Sequence, residues 1–269
     1  MCVCAPRGDA TWRTHALTAP AVRLVAVLAA LACGACVHRP TEKERLGAQI
    51  HYDLGLNAQL AGRAQEAYQE LKEAARLDPF NADVHNALGL VLHLSFAKWE
   101  DAQLHYKRAL ELRPDFSEAH TNYGNLLMDK EQYDAAIQHY ELALNDMLYA
   151  TPFIAQGNLG WALYKKGDVE GAVDRIKAAV TTNPRFCQGF RNLGLIYAET
   201  TRPKEACVQF GRYRDACPDV PDALYREGRC LVEVGDKEKA RANFETCVAK
   251  AGPGTEVGKD CKSLLGLMN

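Results

Sequence analysis

Six glycines recur through this chain at nearly constant spacing. Gly55, Gly89, Gly124, Gly160, Gly194 and Gly228 lie 34, 35, 36, 34 and 34 residues apart. A period of this length describes a stack of like units, each too small to bury its own apolar face and each leaning on its neighbours. Two more positions keep step with the glycine. An alanine follows twelve or thirteen places later (Ala67, Ala102, Ala136, Ala172, Ala206, Ala240), and a large side chain four places after that (Leu71, Tyr106, Tyr140, Ile176, Phe210, Phe244). Four residues make just over one helical turn, so the alanine and the large residue share a helix face. Pro79, Pro114, Pro184, Pro218 and Pro253 close five of the six units, where a residue that cannot continue a helix ends one.

Each unit therefore reads as two helices. Glycine on helix A and alanine on helix B allow close approach, and the large residue fills the gap between them. The pattern resembles the tetratricopeptide repeat. That resemblance implies an all-α, right-handed superhelical solenoid of six repeats, at 48–81, 82–116, 117–152, 153–186, 187–220 and 221–254, with a capping helix and tail over 255–269. The small excess over a strict period falls near Ala97–Glu100 and Tyr149–Pro152.

The amino-terminal segment reads as an address. Arg7, Arg13 and Arg23 precede the apolar run Leu24–Ala32, which is too short for a permanent span of about 20 residues and fits a secretory signal over 1–35. Its end, Leu-Ala-Cys-Gly-Ala-Cys, resembles a bacterial lipobox, with Cys36 as the expected acylated residue and Cys33 as the alternative. Several acyl chains on such a cysteine would anchor the protein stably. Residues 36–47 read as a polar tether.

The formal net charge is −2, from 32 basic and 34 acidic residues, which argues against nucleic acid as a partner, since that binding needs clustered positive charge. His51, His85 and His120 recur at 34 and 35 residues, but repeat register explains them, and no metal is expected. No phosphate-binding glycine loop, nucleophile elbow or zinc motif occurs in the repeats. Neither catalysis nor a cofactor nor a small-molecule substrate is expected.

Helix A of each repeat lines the inner wall. Its sixth position carries Asn122, Asn158 and Asn192 in three consecutive repeats. A carboxamide can donate to and accept from one peptide unit, so these residues are expected to hold an extended client backbone. Around them stand Tyr52, Leu56, Leu90, Asn125, Met128, Trp161, Tyr164, Arg191, Leu195, Tyr225 and Arg226. Aromatic and Arg side chains are common interface anchors, and Trp161 and Tyr164 share one helix face.

Residues 119–149 read AHTNYGNLLMDKEQYDAAIQHYELALNDMLY. The N-Y-G-x-x-L opening, the Y-x-x-A and the A-L-N-D-M-L-Y ending resemble the type IV pilus biogenesis lipoproteins called pilotins, of the PilF/PilW and Tgl kind, the Tgl-like branch above all. In that family too the third repeat lacks its closing proline and ends in D-x-L-Y before a longer link. The resemblance implies a monomeric, non-enzymatic lipoprotein of the outer membrane, its repeats facing the periplasm. It would bind the type IV pilus secretin subunit and promote that subunit's insertion and multimerisation, supporting pilus assembly and motility. Shielding apolar, β-prone secretin segments would limit edge-to-edge association. The alternative is a general lipoprotein scaffold for cell-wall enzymes or outer-membrane protein assembly.

Six of the ten cysteines lie in the last third: Cys187, Cys207, Cys217, Cys230, Cys247 and Cys261. A secretory signal places them where disulfides persist. Antiparallel helices bring together residues equidistant from their turn, so a bonded pair has its midpoint in a turn. That condition gives Cys187–Cys217, centred beside Arg202-Pro203, Cys207–Cys230, centred beside Pro218, and Cys247–Cys261, centred beside Gly252-Pro253-Gly254.

Overall fold

The computed structural model describes residues 39–252 and 254–268 of the 269-residue chain. The signal segment, both candidate acylation sites Cys33 and Cys36, and Pro253 lie outside the described residues. Among the described residues there are thirteen α-helices and no strand. The chain divides into two compact units, one ending at Phe80 and one starting at Asn81. The first holds α1 (Glu42–Leu60) and α2 (Ala64–Leu77). The second holds five further pairs: α3 (Ala82–Leu94) with α4 (Trp99–Leu112), α5 (Ser117–Asp129) with α6 (Tyr133–Leu144), α7 (Pro152–Lys165) with α8 (Val169–Thr182), α9 (Cys187–Glu199) with α10 (Pro203–Ala216), and α11 (Pro221–Glu233) with α12 (Lys237–Ala251). It ends with α13 (Glu256–Leu267).

Helix α1 starts earlier than expected. Residues 42–47, read from the sequence as the end of a tether, form its first turns. Thr41 and Glu44 make a reciprocal cap, with Thr41 Oγ1 accepting from the Glu44 amide at 3.3 Å and the Glu44 carboxylate accepting from the Thr41 amide at 2.7 Å. Two otherwise orphaned donors are satisfied this way. The Asn81 side chain caps α3 by accepting from the amides of Asp83 and Val84. Pro152, Pro203 and Pro221 stand in the first turns of α7, α10 and α11, where a missing N–H costs nothing.

The recurring glycine and the recurring large residue meet inside each pair. A Cβ on Gly124 would sit 2.6 Å from the Tyr140 ring, and Gly55 faces Leu71, Gly89 Tyr106, Gly160 Ile176, Gly194 Phe210 and Gly228 Phe244 in the same way. The alanine of every unit is fully buried. These contacts bring helices A and B together at glycine and alanine, the approach that the spacing demands.

The A–B turns are three residues long, except Ser95–Lys98 with four. Each turn has one residue in the left-handed region: Gly62, Ala97, Glu131, Gly167, Thr201 and Gly235. Links between pairs in the second unit run four residues, except 145–151 with seven. Both exceptions lie where the period stretches.

Three disulfides join Cys187 to Cys217, Cys207 to Cys230 and Cys247 to Cys261, with Cα separations of 6.0, 5.4 and 6.3 Å, all within the usual span. The pairs match those drawn from turn midpoints. The first ties the start of α9 to the residue after α10, the second ties α10 to α11, and the third ties α12 to α13. Helix α13 covers α11 and α12 with Cys261, Leu264 and Leu265. In α1, by contrast, Ile50 and Leu54 are exposed, although their counterparts Val84, Ala119, Ala155 and Ala223, and Leu88, Tyr123, Leu159 and Leu193, are buried.

Candidate functional site

In the second unit alternate helices touch directly: α3 with α5, α5 with α7, α7 with α9, and α11 with α13. The even-numbered helices make no comparable contact with one another among the described residues. In a curved stack the layer whose members meet is the inner one, so the odd-numbered helices form the inner wall.

The asparagines on that wall do not form a free ladder. Asn122 donates to Asn86 Oδ1 at 3.0 Å, and Asn158 donates to Asn125 Oδ1 at 2.8 Å, each bonding one A helix to the A helix before it. Asn125 Oδ1 also accepts from the Tyr140 hydroxyl at 2.8 Å. Asn192 is buried and accepts from Gln188 one turn earlier at 2.9 Å. Asn122 and Asn158 thus bond neighbouring A helices, while Asn192 bonds within its own helix, since a buried or half-buried carboxamide takes a protein partner where one is in reach.

The same holds for other polar members of the set. Arg191 Nε and Arg226 Nε both donate to Asp222 Oδ2, at 3.3 and 2.7 Å, and the Tyr213 hydroxyl donates there too. The Tyr164 hydroxyl donates to Glu199 on α9. Burial and then that carboxylate push the Tyr164 phenol up to about 12, so it stays a neutral donor. His93 bonds Asp129 on α5 at 2.7 Å from the same repeat position that Tyr164 occupies. Asp222, Glu199 and the His93–Asp129 link escaped the sequence reading. The shared position of His93 and Tyr164 was the one signal available for them.

What the wall presents is its apolar and aromatic part. The Trp161 and Tyr164 rings lie 5.3 Å apart, half-buried, with the Lys165 ammonium 5.2 Å from the Trp161 ring centre. Trp161, Tyr164 and Leu195 pack on the large core cluster of the later repeats. A recess of about 90 Å³ beside them is lined by Leu195, Ala198, Phe210, Arg226, Arg229, Cys230 and Glu233, and the Arg229 guanidinium lies 5.7 Å from the Tyr225 ring centre. Leu90 and Met128 are half-buried on α3 and α5. Tyr52 and Leu56 are half-buried on α1, in the first unit.

The recurring histidines have partners. His51 bonds Glu70 at 2.7 Å, His85 bonds His105 at 3.0 Å, and His120 bonds His139 at 2.8 Å. Burial, and then the neighbouring imidazole, push His105 and His139 down to about 4. No cluster of three or more metal-ligating side chains occurs among the described residues.

Models described as tetratricopeptide repeat match residues 92–153, 158–221 and 222–251. The type IV pilus assembly protein PilF of Pseudomonas aeruginosa is 32% identical over 122 residues, covering 45% of this chain and 48% of that protein. The match thus spans about half the length of that relative. Two solved structures share the fold. PilW, a widely conserved type IV pilus biogenesis factor, superposes with a TM-score of 0.70 at 21% identity, over 79% of this chain and 96% of that one. Pseudomonas aeruginosa PilF gives a TM-score of 0.68 at 19% identity, over 83% of this chain and 100% of that one.

Proposed function

We propose, for a chain that belongs to the tetratricopeptide repeat family, a role as a non-enzymatic, lipid-anchored outer-membrane protein that binds the type IV pilus secretin subunit and promotes its insertion and multimerisation. The similarity to PilF carries this reading. The inner wall supports it. A half-buried Trp161–Tyr164 pair on the same core as Leu195, with Lys165 over the Trp161 ring and Arg229 beside Tyr225, is suited to an apolar segment of a partner protein. Because Asn122 and Asn158 bond the A helices before them, the client is held by side-chain burial more than by a backbone ladder. Acylation at Cys36 supplies the location.

Two measurements test it. In cells lacking the protein, secretin is expected as monomer rather than heat-stable multimer, with multimers restored by the native chain and not by Cys36→Ala. In solution, purified secretin subunit is expected to bind the native chain, and Trp161→Ala/Tyr164→Ala about tenfold more weakly. Normal secretin multimers in the absence of the protein would overturn the reading.

A further inference from the structure

A recess of about 490 Å³ opens where α8 ends, α9 begins and α10 ends. Val180, Pro184, Phe190 and Ala216 give it apolar walls, and Val180 and Phe190 are themselves buried. Arg185 and Arg212 line it as well. Both are exposed, and neither guanidinium has a hydrogen bond, ion pair or ring contact among the described residues. The other polar side chains of the lining are engaged. The Thr181 hydroxyl donates to the Lys177 carbonyl at 2.8 Å. Asp215 Oδ1 accepts from Arg214 Nε at 3.1 Å and Nη2 at 2.8 Å. Arg214 also bonds Glu227 at 2.7 Å, so three guanidinium groups stand against two carboxylates, and both carboxylates are taken.

The pair of arginines belongs to this junction. Arg185 follows the closing Pro184, and Arg212 stands two places after Phe210. The same places hold Asp115 and Leu142 at the junction after Pro114, and Asp219 and Thr246 at the junction after Pro218. Repeat packing therefore demands no basic residue at either place. The backbone around the recess is held. The Arg185 amide donates to Asn183 Oδ1 at 3.0 Å, and its carbonyl accepts from the Cys187 amide at 2.9 Å. The Cys187–Cys217 bond ties the α9 side to the α10 side. A site fixed in this way loses little freedom when it is filled.

Each guanidinium presents paired N–H donors that match a carboxylate, and the apolar walls beside them take an apolar side chain. The end of a polypeptide is the place where a carboxylate and a side chain leave the same carbon, so a terminal residue satisfies both demands at once. The volume is within the range of a small-ligand site. The exposed Asp215 on the same rim disfavours a flat anionic bilayer, which would press against every rim group together.

We infer that this recess binds the carboxyl-terminal residue of a partner protein, with its carboxylate held by Arg185 and Arg212 and an apolar side chain against Val180 and Phe190. None of the inner-wall residues lines the recess, and the site stands independently of the secretin reading.

The probe is a fluorescein-labelled peptide, Gly-Ser-Gly-Val-Phe, with a free or an amidated carboxyl end, titrated with the purified chain and read by anisotropy. The free acid is expected to bind, and the amide to bind about tenfold more weakly, since a hydrogen bond to a charged group is worth about that factor or more. Arg185→Gln/Arg212→Gln is expected to bind the free acid about tenfold more weakly with an unchanged melting temperature. Serine in place of the last phenylalanine is expected to weaken binding several-fold. No binding of the free acid, equal binding of acid and amide, or equal binding by the native chain and the glutamine pair would each overturn the inference and leave the proposed function standing. Equal binding of the peptide ending in serine would reduce the site to one for a bare anion and overturn the chain-end assignment. Vesicles of phosphatidylethanolamine and phosphatidylglycerol that bind the native chain and not the glutamine pair, while the free acid fails to bind, would assign the arginines to lipid headgroups and overturn it too.

Discussion

Tyr140 donates its buried hydroxyl to Asn125 Oδ1 at 2.8 Å, whereas Tyr106, its counterpart one repeat earlier, has a buried hydroxyl with no hydrogen-bond partner among the described residues. The register explains the difference, because Leu90 stands in its repeat where Asn125 stands in the next. A buried hydroxyl without a hydrogen bond costs about 1–3 kcal/mol, and a made one contributes about 1 kcal/mol. Tyr140→Phe is therefore expected to destabilise by roughly 1 kcal/mol. Tyr106→Phe should be neutral or stabilising. Urea unfolding of the two variants reads the contrast directly, and equal losses would contradict it.

Thr201 adopts φ 58° in the turn between α9 and α10, a place that glycine fills in three of the six turns. A β-branched residue is strained there. Thr201→Gly is expected to stabilise by about 0.5–1 kcal/mol, the relief of strain exceeding the added freedom of the unfolded chain. Thermal melting under oxidising conditions measures it, and a lower melting temperature would refute the strain account.

The paired histidines set a pH dependence. His105 and His139 are held near 4 in the fold, below the ordinary value of about 6.5. A group depressed in the folded state contributes stability that is full above its unfolded value and is lost as pH falls through the folded one. The melting temperature is thus expected to decline from about pH 6.5 towards pH 4, more steeply than in His105→Gln/His139→Gln. Parallel curves for the two proteins would exclude the imidazoles as the cause.

The Cys247–Cys261 bond closes 14 residues and ties α13 to α12. Its loss through Cys247→Ala/Cys261→Ala should cost about 2–4 kcal/mol, with the first loss of amide protection in α13, since the end of a one-dimensional array frays most easily. Hydrogen exchange locates the effect, and unchanged protection in α13 would show that apolar packing alone holds the cap.

Much of the repeat architecture is legible in residue spacing. Gly124 and Tyr140 lie sixteen residues apart, with Ala136 between them, and their spacing reports contact between two helices joined by a short turn. The midpoint condition for Cys187 and Cys217 works for the same reason. The start of α1 is hidden in the sequence because Thr41 and Glu44 form a cap inside a run whose polarity resembles a linker. At Asn158 only part of the surroundings is local. Its inward position is readable from the period, but its bond to Asn125 spans 33 residues and two repeats.

The helix pairs, their interlocking glycines and large residues, the two stretched connections and the cysteine pairing follow from residue spacing alone. All of these depend on neighbours within a unit or across one turn, where spacing and helical geometry leave few arrangements. The three-dimensional packing settles which inward polar groups bond the adjacent A helix, which of two equivalent tyrosines is satisfied, and that Asp146 and Tyr149 fold inward while Met147 and Leu148 face water. Those outcomes depend on the rotation and separation of successive helix pairs. That geometry is set by the summed packing of many side chains, which no single period records.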